Sequence, residues 1–360
     1  MSLSTSTHSN EWRVEIPVVD FSNWKADASP EDRMKVAEEL VSACKSVGFV
    51  YILNHGISPE RLAEAFLWSK KFFELTKEQK LQAPHPDGSS VHRGYSWPGL
   101  EKVSQAMKDE IDLHLEAELR KVTDYKESYD MGSENNNEQP NVWIPPFMLP
   151  GFREFMTQFY WECSEVGRNI LRAIALGLGL EEDHLVKFHS GHNNQLRLLH
   201  YPPIPAAPLE AGEMARMPPH TDWSSITMLF QDDVGGLEVE DIDHPLRFIP
   251  AIPVENAIVM NVGDLLQRWS NDILRSTKHR VTLPTVAGRI SGKNRTLKER
   301  YSIPYFLAPD PDLSIECLST CVSEDRPARY FPITQREYNR VRAMMHYPDK
   351  GSQPGTGVAY

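Results

Sequence analysis

The stretch His220-Thr221-Asp222-Trp223-Ser224-Ser225-Ile226-Thr227-Met228-Leu229-Phe230 decides how the rest of the chain reads. Ser225–Phe230 is a short apolar run of the kind that forms a buried strand. Directly before it, His220 and Asp222 stand at i and i+2. On an extended backbone these positions share a side, so one imidazole and one carboxylate can meet a single ion. A third ligand has to come from elsewhere, and His279, in Ser276-Thr277-Lys278-His279-Arg280-Val281, is the leading candidate. Two histidines and one carboxylate on one face leave three positions of an octahedral ion open.

A lone His-x-Asp pair recurs by chance, and thirteen histidines make some downstream partner inevitable. His8, His85, His184, His189, His192, His244 and His346 read as exposed or structurally bonded. The metal reading therefore rests on its surroundings. Twenty-one residues after His279 stands Arg300-Tyr301-Ser302, again an i, i+2 pair on a strand pattern. The planar guanidinium fork and the hydroxyl suit a carboxylate. Beside an iron of the two-His, one-carboxylate type used by oxygenases, the pair would suit the distal carboxylate of 2-oxoglutarate. The order His-x-Asp, His, Arg-x-Ser within 83 residues of β-patterned chain carries more weight than any one member.

Working outward, Gln195–His200, Leu237–Val239, Ala257–Val262 and Tyr301–Phe306 are further short apolar runs separated by Pro, Gly and Asp, which suggests a sandwich or barrel. Phe152, Phe155, Met156, Phe159, Cys163, Val166, Ile170 and Ile174 mark one long amphipathic helix ending near Gly177 and Gly179. Glu127 to Pro150 reads as a long loop. In front of it, Ser29-Pro30 and Ser58-Pro59 open helices, and Thr76 with Gln79 reads as a capping box. Ile16–Phe21 and Phe49–Leu53 read as strands, with Asn54-His55-Gly56 as a turn. Thr334 to His346 returns to helix. Trp269-Ser270-Asn271 reads as the fixing of a strand end, and Cys317 with Cys321 lacks a partner pair for zinc.

Acidic residues outnumber basic ones by 50 to 38, for a net charge of −12, which argues against nucleic-acid and anionic-membrane partners. Hydrophobic residues at 40% indicate a soluble globular chain. No run reaches the length of a membrane span. Four scattered cysteines (Cys44, Cys163, Cys317, Cys321) exclude a disulfide scaffold and point to a reducing, cytoplasmic location.

The chain resembles the isopenicillin N synthase-like Fe(II)/2-oxoglutarate-dependent dioxygenases over nearly its whole length. The front match runs through Ile16-Pro-Val-Val-Asp-Phe21, Gly48-Phe-Val-Tyr-Ile-Leu-Asn-His-Gly56, Phe72-Phe-Glu-Leu-Thr-Lys-Glu-Gln-Lys80 and Arg93-Gly-Tyr-Ser96. The back match adds His220-Thr-Asp222, Gly235-Gly-Leu-Glu-Val239, Asn261-Val-Gly-Asp-Leu-Leu266, Trp269-Ser-Asn271, His279-Arg-Val281 and Arg300-Tyr-Ser302. Arg93–Lys102, Lys126–Tyr129, Leu196–Pro202 and Trp269–Asp272 are similar to fungal thymine 7-hydroxylase and its relatives in natural-product pathways. Trp223 and His92 stand where the thymine enzyme's pattern has tyrosine and asparagine, and these departures count against thymine as substrate. The loop Leu283–Glu299, with Arg289, Lys293, Arg295 and Lys298, is longer than in plant relatives and reads as a solvated basic loop or a substrate lid.

The resemblance implies an α+β fold: a distorted double-stranded β-helix (jelly roll) with supporting N-terminal and C-terminal helices. Along the chain this gives a polar tail (1–14), an N-terminal α/β region (15–130), a loop (131–150), a backbone helix and connection (151–192), a catalytic core (193–310) and a C-terminal helical segment with tail (311–360). It implies Fe(II) on His220, Asp222 and His279, with 2-oxoglutarate and O2 as cosubstrates, held by Arg300, Ser302 and Tyr201, and ascorbate as a supporting reductant. Arg197, His92, Trp223, Phe306 and Asn271 would face a small organic substrate, a fungal-type secondary metabolite oxidised by hydroxylation, desaturation or ring rearrangement. The alternatives are a thymine or pyrimidine methyl hydroxylase, a 2-oxoglutarate-independent iron oxidase of the isopenicillin N synthase type, a zinc hydrolase on the same triad, and a non-catalytic binding protein. Oligomeric state is not specified by the sequence.

Overall fold

In the front region the polar punctuation of the sequence becomes helix ends. Ser29 caps α1 (Pro30–Ser46) by accepting from the Asp32 N–H, and Ser58 caps α2 (Pro59–Phe73) through the Arg61 N–H. Each hydroxyl satisfies an N–H that has no partner inside the helix. Thr76 and Gln79 form the reciprocal capping box of the short helix α3 (Lys77–Lys80). At the end of α1, Gly48 (φ 76°) donates its N–H back to the Ala43 carbonyl and turns the chain into the next strand. A computed structural model of the chain supplies these observations, and it describes residues 15–86, 92–100, 123–211, 214–284, 290–291 and 295–346.

Twelve strands build the two sheets that matter for the site. They are β1 (Val18–Asp20), β2 (Phe49–Leu53), β3 (Gly94–Ser96), β4 (Glu127–Met131), β5 (Gln195–Tyr201), β6 (Met217–His220), β7 (Ile226–Gln231), β8 (Leu237–Glu240), β9 (Phe248–Pro250), β10 (Ile258–Val262), β11 (His279–Val281) and β12 (Arg300–Leu307). The major sheet has the order β1-β2-β10-β7-β12-β5-β4-β3, antiparallel except for β1 against β2. The minor sheet has the order β9-β8-β11-β6. Four of the eight strands in the major sheet come from the front region, so the region before residue 131 is woven into the β core.

The register sorts the side chains of the major sheet by parity. Arg300 pairs with Tyr201, Ser302 with Leu199 and Phe306 with Gln195, while Gln231 pairs with Ser302 and Thr227 with both Phe306 and Asn261. Successive side chains alternate between faces, so these residues share one face. With them stand Phe49, Tyr51 and Val259. On the opposite face Val50, Ile52, Met228, Met260, Ile303, Tyr305, Leu196 and Leu198 join the larger apolar core. That core packs on α4 (Phe152–Gly177), whose whole apolar stripe is buried. On the first face a second, smaller cluster of Phe49, Tyr51, Leu199, Tyr201 and Val259 meets Leu237, Val239 and Val281 of the minor sheet. The two sheets thus enclose an interior that is apolar at its base and polar around His220, His279 and Arg300, in a distorted double-stranded β-helix.

Three sequence expectations need correction. The loop expected from Glu127 begins as a strand, β4, with every residue buried. Its polar composition misled because each polar side chain is paired inside the protein. Glu127 accepts from Lys80 (2.8 Å), Tyr95 (2.6 Å) and His200 (2.7 Å), and Asp130 pairs with Arg197. The segment Leu283–Glu299 carries two short strands, Ile290–Ser291 and Thr296–Leu297, which form a hairpin on Ile204–Pro205. Arg289 and Lys293 lie outside the described residues, as do the 1–14 tail and residues 101–122. Finally, Trp269-Ser270-Asn271 ends a helix, α5 (Asp264–Trp269), and not a strand.

The helix Thr334–His346 is present as α6 (Gln335–His346). The Asn54-His55-Gly56 turn is also present, with His55 bonded to the Asn256 carbonyl at 3.2 Å. The four cysteines are free. Among the described residues no helix is long and apolar enough to cross a membrane.

Candidate metal and cosubstrate site

His220 ends β6 and His279 begins β11, and the ladder between those strands sets the two residues directly opposite each other. Their rings lie 4.2 Å apart, and each Nε2 is 3.8 Å from the same oxygen, Oδ1 of Asp222. One ligand atom from each of the three lies within 4.8 Å of the others, the one such group of His, Cys, Asp or Glu among the described residues. Both rings are held from behind. His220 Nδ1 bonds the Pro218 carbonyl at 3.0 Å and His279 Nδ1 the Thr277 carbonyl at 3.3 Å. With the proton on Nδ1, each Nε2 presents a lone pair to the shared point. Burial, reinforced by His279, holds His220 in its neutral form, with its pKa lowered to about 3. Burial alone would raise the Asp222 carboxyl, but the two imidazoles and two hydrogen bonds bring it below the usual value.

Those two hydrogen bonds orient the carboxylate. Asp222 Oδ2 accepts from Thr227 Oγ1 at 2.6 Å and from Asn261 Nδ2 at 2.8 Å, leaving Oδ1 for the cluster. The backbone of the ligand loop is gripped as well. The Gly263 N–H donates to the Ser225 carbonyl and the Asp264 N–H to the Asp222 carbonyl, both at 2.8 Å. A β-carbon on Gly263 would sit 2.0 Å from the Ser224 carbonyl oxygen, so only glycine permits this approach. The Asp264 side chain collects Thr221 Oγ1 (3.2 Å), Ser276 Oγ (2.6 Å), Tyr338 Oη (2.9 Å) and Arg342 (3.3 Å). Thr221, between the two ligands in the chain, is thereby tied to α6. Two imidazole Nε2 atoms and one free carboxylate oxygen, all held in place beforehand, fit a divalent transition ion with open positions.

Across the interior, Arg300 is 1% exposed and donates to Ser302 Oγ at 3.0 Å and Gln231 Oε1 at 3.1 Å. Its Nε has no hydrogen-bond partner among the described residues. The guanidinium packs on the ring of Tyr201, 5.1 Å from its centre. A second buried guanidinium, Arg216, lies against the same ring at 5.7 Å. The cradle of arginine, hydroxyl and phenol fits a carboxylate.

Of the five residues expected to face substrate, Arg197 and Phe306 share the interior parity with Arg300. Arg197 is braced by the fully buried Asp130, Nε to Oδ1 at 2.5 Å and Nη2 to Oδ2 at 3.1 Å. Trp223 lies under the Arg342 guanidinium of α6. His92 precedes β3, its ring 6.3 Å from that of His85. Asn271 is turned elsewhere. In a left-handed conformation (φ 51°) it donates to the Cys321 and Pro327 carbonyls and accepts from the Arg329 N–H, so it pins the C-terminal segment. Thr227, Gln231, Asp130 and Arg216 were not singled out from sequence. Asn261, Gly263 and Asp264 appeared there only inside a matched motif.

Comparison with known proteins bears on this geometry. Residues 192–309 match the 2OG-Fe(II) oxygenase superfamily, and residues 16–146 match the N-terminal region of the non-haem dioxygenases of morphine synthesis. The chain belongs to the 2OG-Fe(II) oxygenase superfamily. It is a dioxygenase that uses Fe(II) and 2-oxoglutarate to oxidise a small organic molecule. Proline hydroxylase buaE of Petromyces alliaceus is 38% identical over 336 residues, covering 93% of this chain and all of that one. The 2-oxoglutarate-dependent dioxygenase frbA of a Dothideomycetidae species is 38% identical over 337 residues, 93% of this chain and 98% of that one. Among solved structures, Neurospora crassa thymine 7-hydroxylase with alpha-ketoglutarate and thymine superposes with a TM-score of 0.80 at 35% identity, covering 92% and 97% of the two chains.

Proposed function

We propose that His220, Asp222 and His279 hold the Fe(II), that Arg300, Ser302 and Tyr201 hold the distal carboxylate of 2-oxoglutarate, and that the substrate is a secondary metabolite of fungal type. The observation that carries the ligand reading is the division of labour at Asp222, where Oδ2 is consumed by Thr227 and Asn261 while Oδ1 faces two backed-up imidazoles. Bound there, Fe(II) and 2-oxoglutarate supply the oxidising chemistry, with O2 consumed and succinate and CO2 released. The chain's own residues position and exclude water. Arg300 and Ser302 fix one end of the cosubstrate by charge-assisted hydrogen bonds in a water-poor interior. Arg197, braced by Asp130, offers an oriented guanidinium on the same wall, with Phe306, Trp223 and His92 as further substrate contacts. No side chain has to act as acid or base. The front region and barrel work as one catalytic unit, and its free thiols agree with a reducing compartment such as the cytoplasm.

A second reading is a pyrimidine methyl hydroxylase, favoured by the likeness to the thymine-bound Neurospora structure. Trp223 and His92 weigh against it, because a site built to hydrogen-bond one ligand discriminates strongly against a mismatched one. The test is 2-oxoglutarate turnover scored as succinate, with thymine, proline-containing compounds and aromatic polyketide-like compounds offered in parallel. His220→Ala and Asp222→Ala should lose substrate-dependent succinate formation. Near-wild-type turnover in either would overturn the ligand assignment, and substrate oxidation without 2-oxoglutarate would overturn the cosubstrate cradle.

A further inference from the structure

We infer that Arg216 is a second cationic anchor for the cosubstrate, one that makes the site select a 2-oxo acid with a distal carboxylate. The inference rests on the reading of Arg300 above and adds to it a residue with no counterpart in the Arg-x-Ser pair.

Arg216 stands four residues before His220. It occupies the bend that leads into β6, whose last residue is His220. The guanidinium is fully buried. Among the described residues it makes one hydrogen bond, from Nη2 to the Lys298 carbonyl at 2.6 Å, which fixes it beside the start of β12. Nε and Nη1 have no hydrogen-bond partner among the described residues. Arginine is rarely buried without a carboxylate, because an unsatisfied charged donor carries its whole desolvation cost. The acid that acts on it here is Asp232, whose oxygens are taken by the backbone N–H groups of Val234 (3.0 Å) and Tyr301 (2.5 Å). Arg300 repels it. Two buried guanidiniums therefore converge on Tyr201 against one half-buried carboxylate, and the Nε of Arg300 has no hydrogen-bond partner among the described residues either. The local excess is one positive charge together with three idle guanidinium nitrogens. A carboxylate at the far end of 2-oxoglutarate supplies the missing charge and the missing acceptors.

A purely structural Arg216 predicts something different. Removing a structural arginine lowers the stability of the ligand-free protein and leaves cosubstrate affinity alone. Removing an anchor relieves an unpaired buried charge, so the ligand-free protein is as stable or more stable while the dicarboxylate binds less well.

The experiment is calorimetric titration of 2-oxoglutarate into the anaerobic Fe(II)-loaded protein, with no primary substrate and no turnover. It compares wild type, Arg216→Met, Arg216→Lys and Arg300→Met, alongside thermal unfolding of each without ligand. A second titrant, 2-oxopentanoate, keeps the chelating end and lacks the distal carboxylate. Arg216→Met should weaken 2-oxoglutarate binding roughly 10- to 100-fold, as expected for loss of charged hydrogen bonds. It should leave 2-oxopentanoate binding within about threefold, with unfolding unchanged or raised. Arg216→Lys should fall between. If Arg300→Met weakens 2-oxoglutarate binding and Arg216→Met does not, Arg216 is no anchor and the inference fails alone. An Arg300→Met protein that binds 2-oxoglutarate normally overturns the cosubstrate reading itself. If Arg216→Met lowers the unfolding temperature and weakens both titrants equally, its role is structural and the inference is again overturned.

Discussion

Replacing Thr227 by valine isolates what the support behind a metal ligand contributes. The substitution keeps the branched shape on the interior wall and removes one hydroxyl, which donates to Asp222 Oδ2 at 2.6 Å. The companion donor, Asn261 Nδ2 at 2.8 Å, stays in place. A hydrogen bond to a charged acceptor is worth about 1.5–3 kcal/mol, which corresponds to roughly 10- to 150-fold in an equilibrium constant at about 1.4 kcal/mol per decade. Oδ2 has no role of its own in the ligand cluster, so this energy acts by fixing the direction of Oδ1. Loss of such outer support typically weakens metal binding about 10- to 100-fold, and Thr227→Val should fall in that range. The assay is anaerobic Fe(II) titration against a chelator of known affinity. Thermal unfolding of the metal-free protein shows separately whether the fold has suffered. Asp222→Ala gives the limit of ligand loss. If Thr227→Val binds Fe(II) within about threefold of wild type while Asp222→Ala fails to bind, the carboxylate is oriented by something other than its Oδ2 donors, and the reasoning is refuted.

Other consequences are open to direct measurement. Glu127→Gln leaves the Lys80 ammonium buried without its carboxylate and should cost about 3–5 kcal/mol in chemical denaturation. The double change Lys80→Met with Glu127→Leu should recover most of that, and a double variant as unstable as the single would contradict the pairing. Burial alone would raise the Glu127 carboxyl, but bonds from His200, Lys80 and Tyr95 hold it below the usual 4.5. Its stabilisation is therefore present above that pH and is lost as pH falls through the lower folded value, so Glu127→Gln should show a shallower acid loss than wild type. Gly263→Ala drives a β-carbon into the Ser224 carbonyl. It should abolish tight Fe(II) binding, which a normal chelator-competition curve would disprove. Asp130→Asn weakens the brace on Arg197 and should cut substrate-stimulated succinate formation at least about tenfold while 2-oxoglutarate binding stays level. Equal loss in both assays would place Asp130 in the scaffold instead.

The residues legible in the sequence were those whose meaning is local. Arg300 with Ser302 is an i, i+2 pair on a strand, and Asp222 follows two residues after His220 at the end of one, so close spacing brings each pair together. Helix caps such as Ser29, Ser58 and Thr76 are equally local, and all three were found where the sequence placed them. What escaped depends on partners distant in the chain. Thr227 and Asn261 become carboxylate donors only because β7 and β10 pair in a register that sets them side by side. Gln231 reaches Arg300 for the same reason across β7 and β12. β4 looked like loop because Glu127, Ser128 and Asp130 are polar, and their buried partners lie up to 73 residues away in sequence. Asn271 was misread toward the substrate because a left-handed turn sends its amide to the C-terminal segment.

The parity of β12 constrains how proteins of this design can change over generations. Arg300 and Ser302 face the interior while Tyr301 and Ile303 face away, Ile303 into the large core. Inserting or deleting one residue early in that strand would exchange the two sets at a stroke, emptying the cosubstrate cradle and driving a guanidinium into the apolar packing. Length variation tolerated inside these strands should therefore come in pairs of residues or be absorbed by a bulge. Diversification by single insertions is left to the connecting turns, which makes the wall that holds the cosubstrate a slow-changing part and its borders the quick ones.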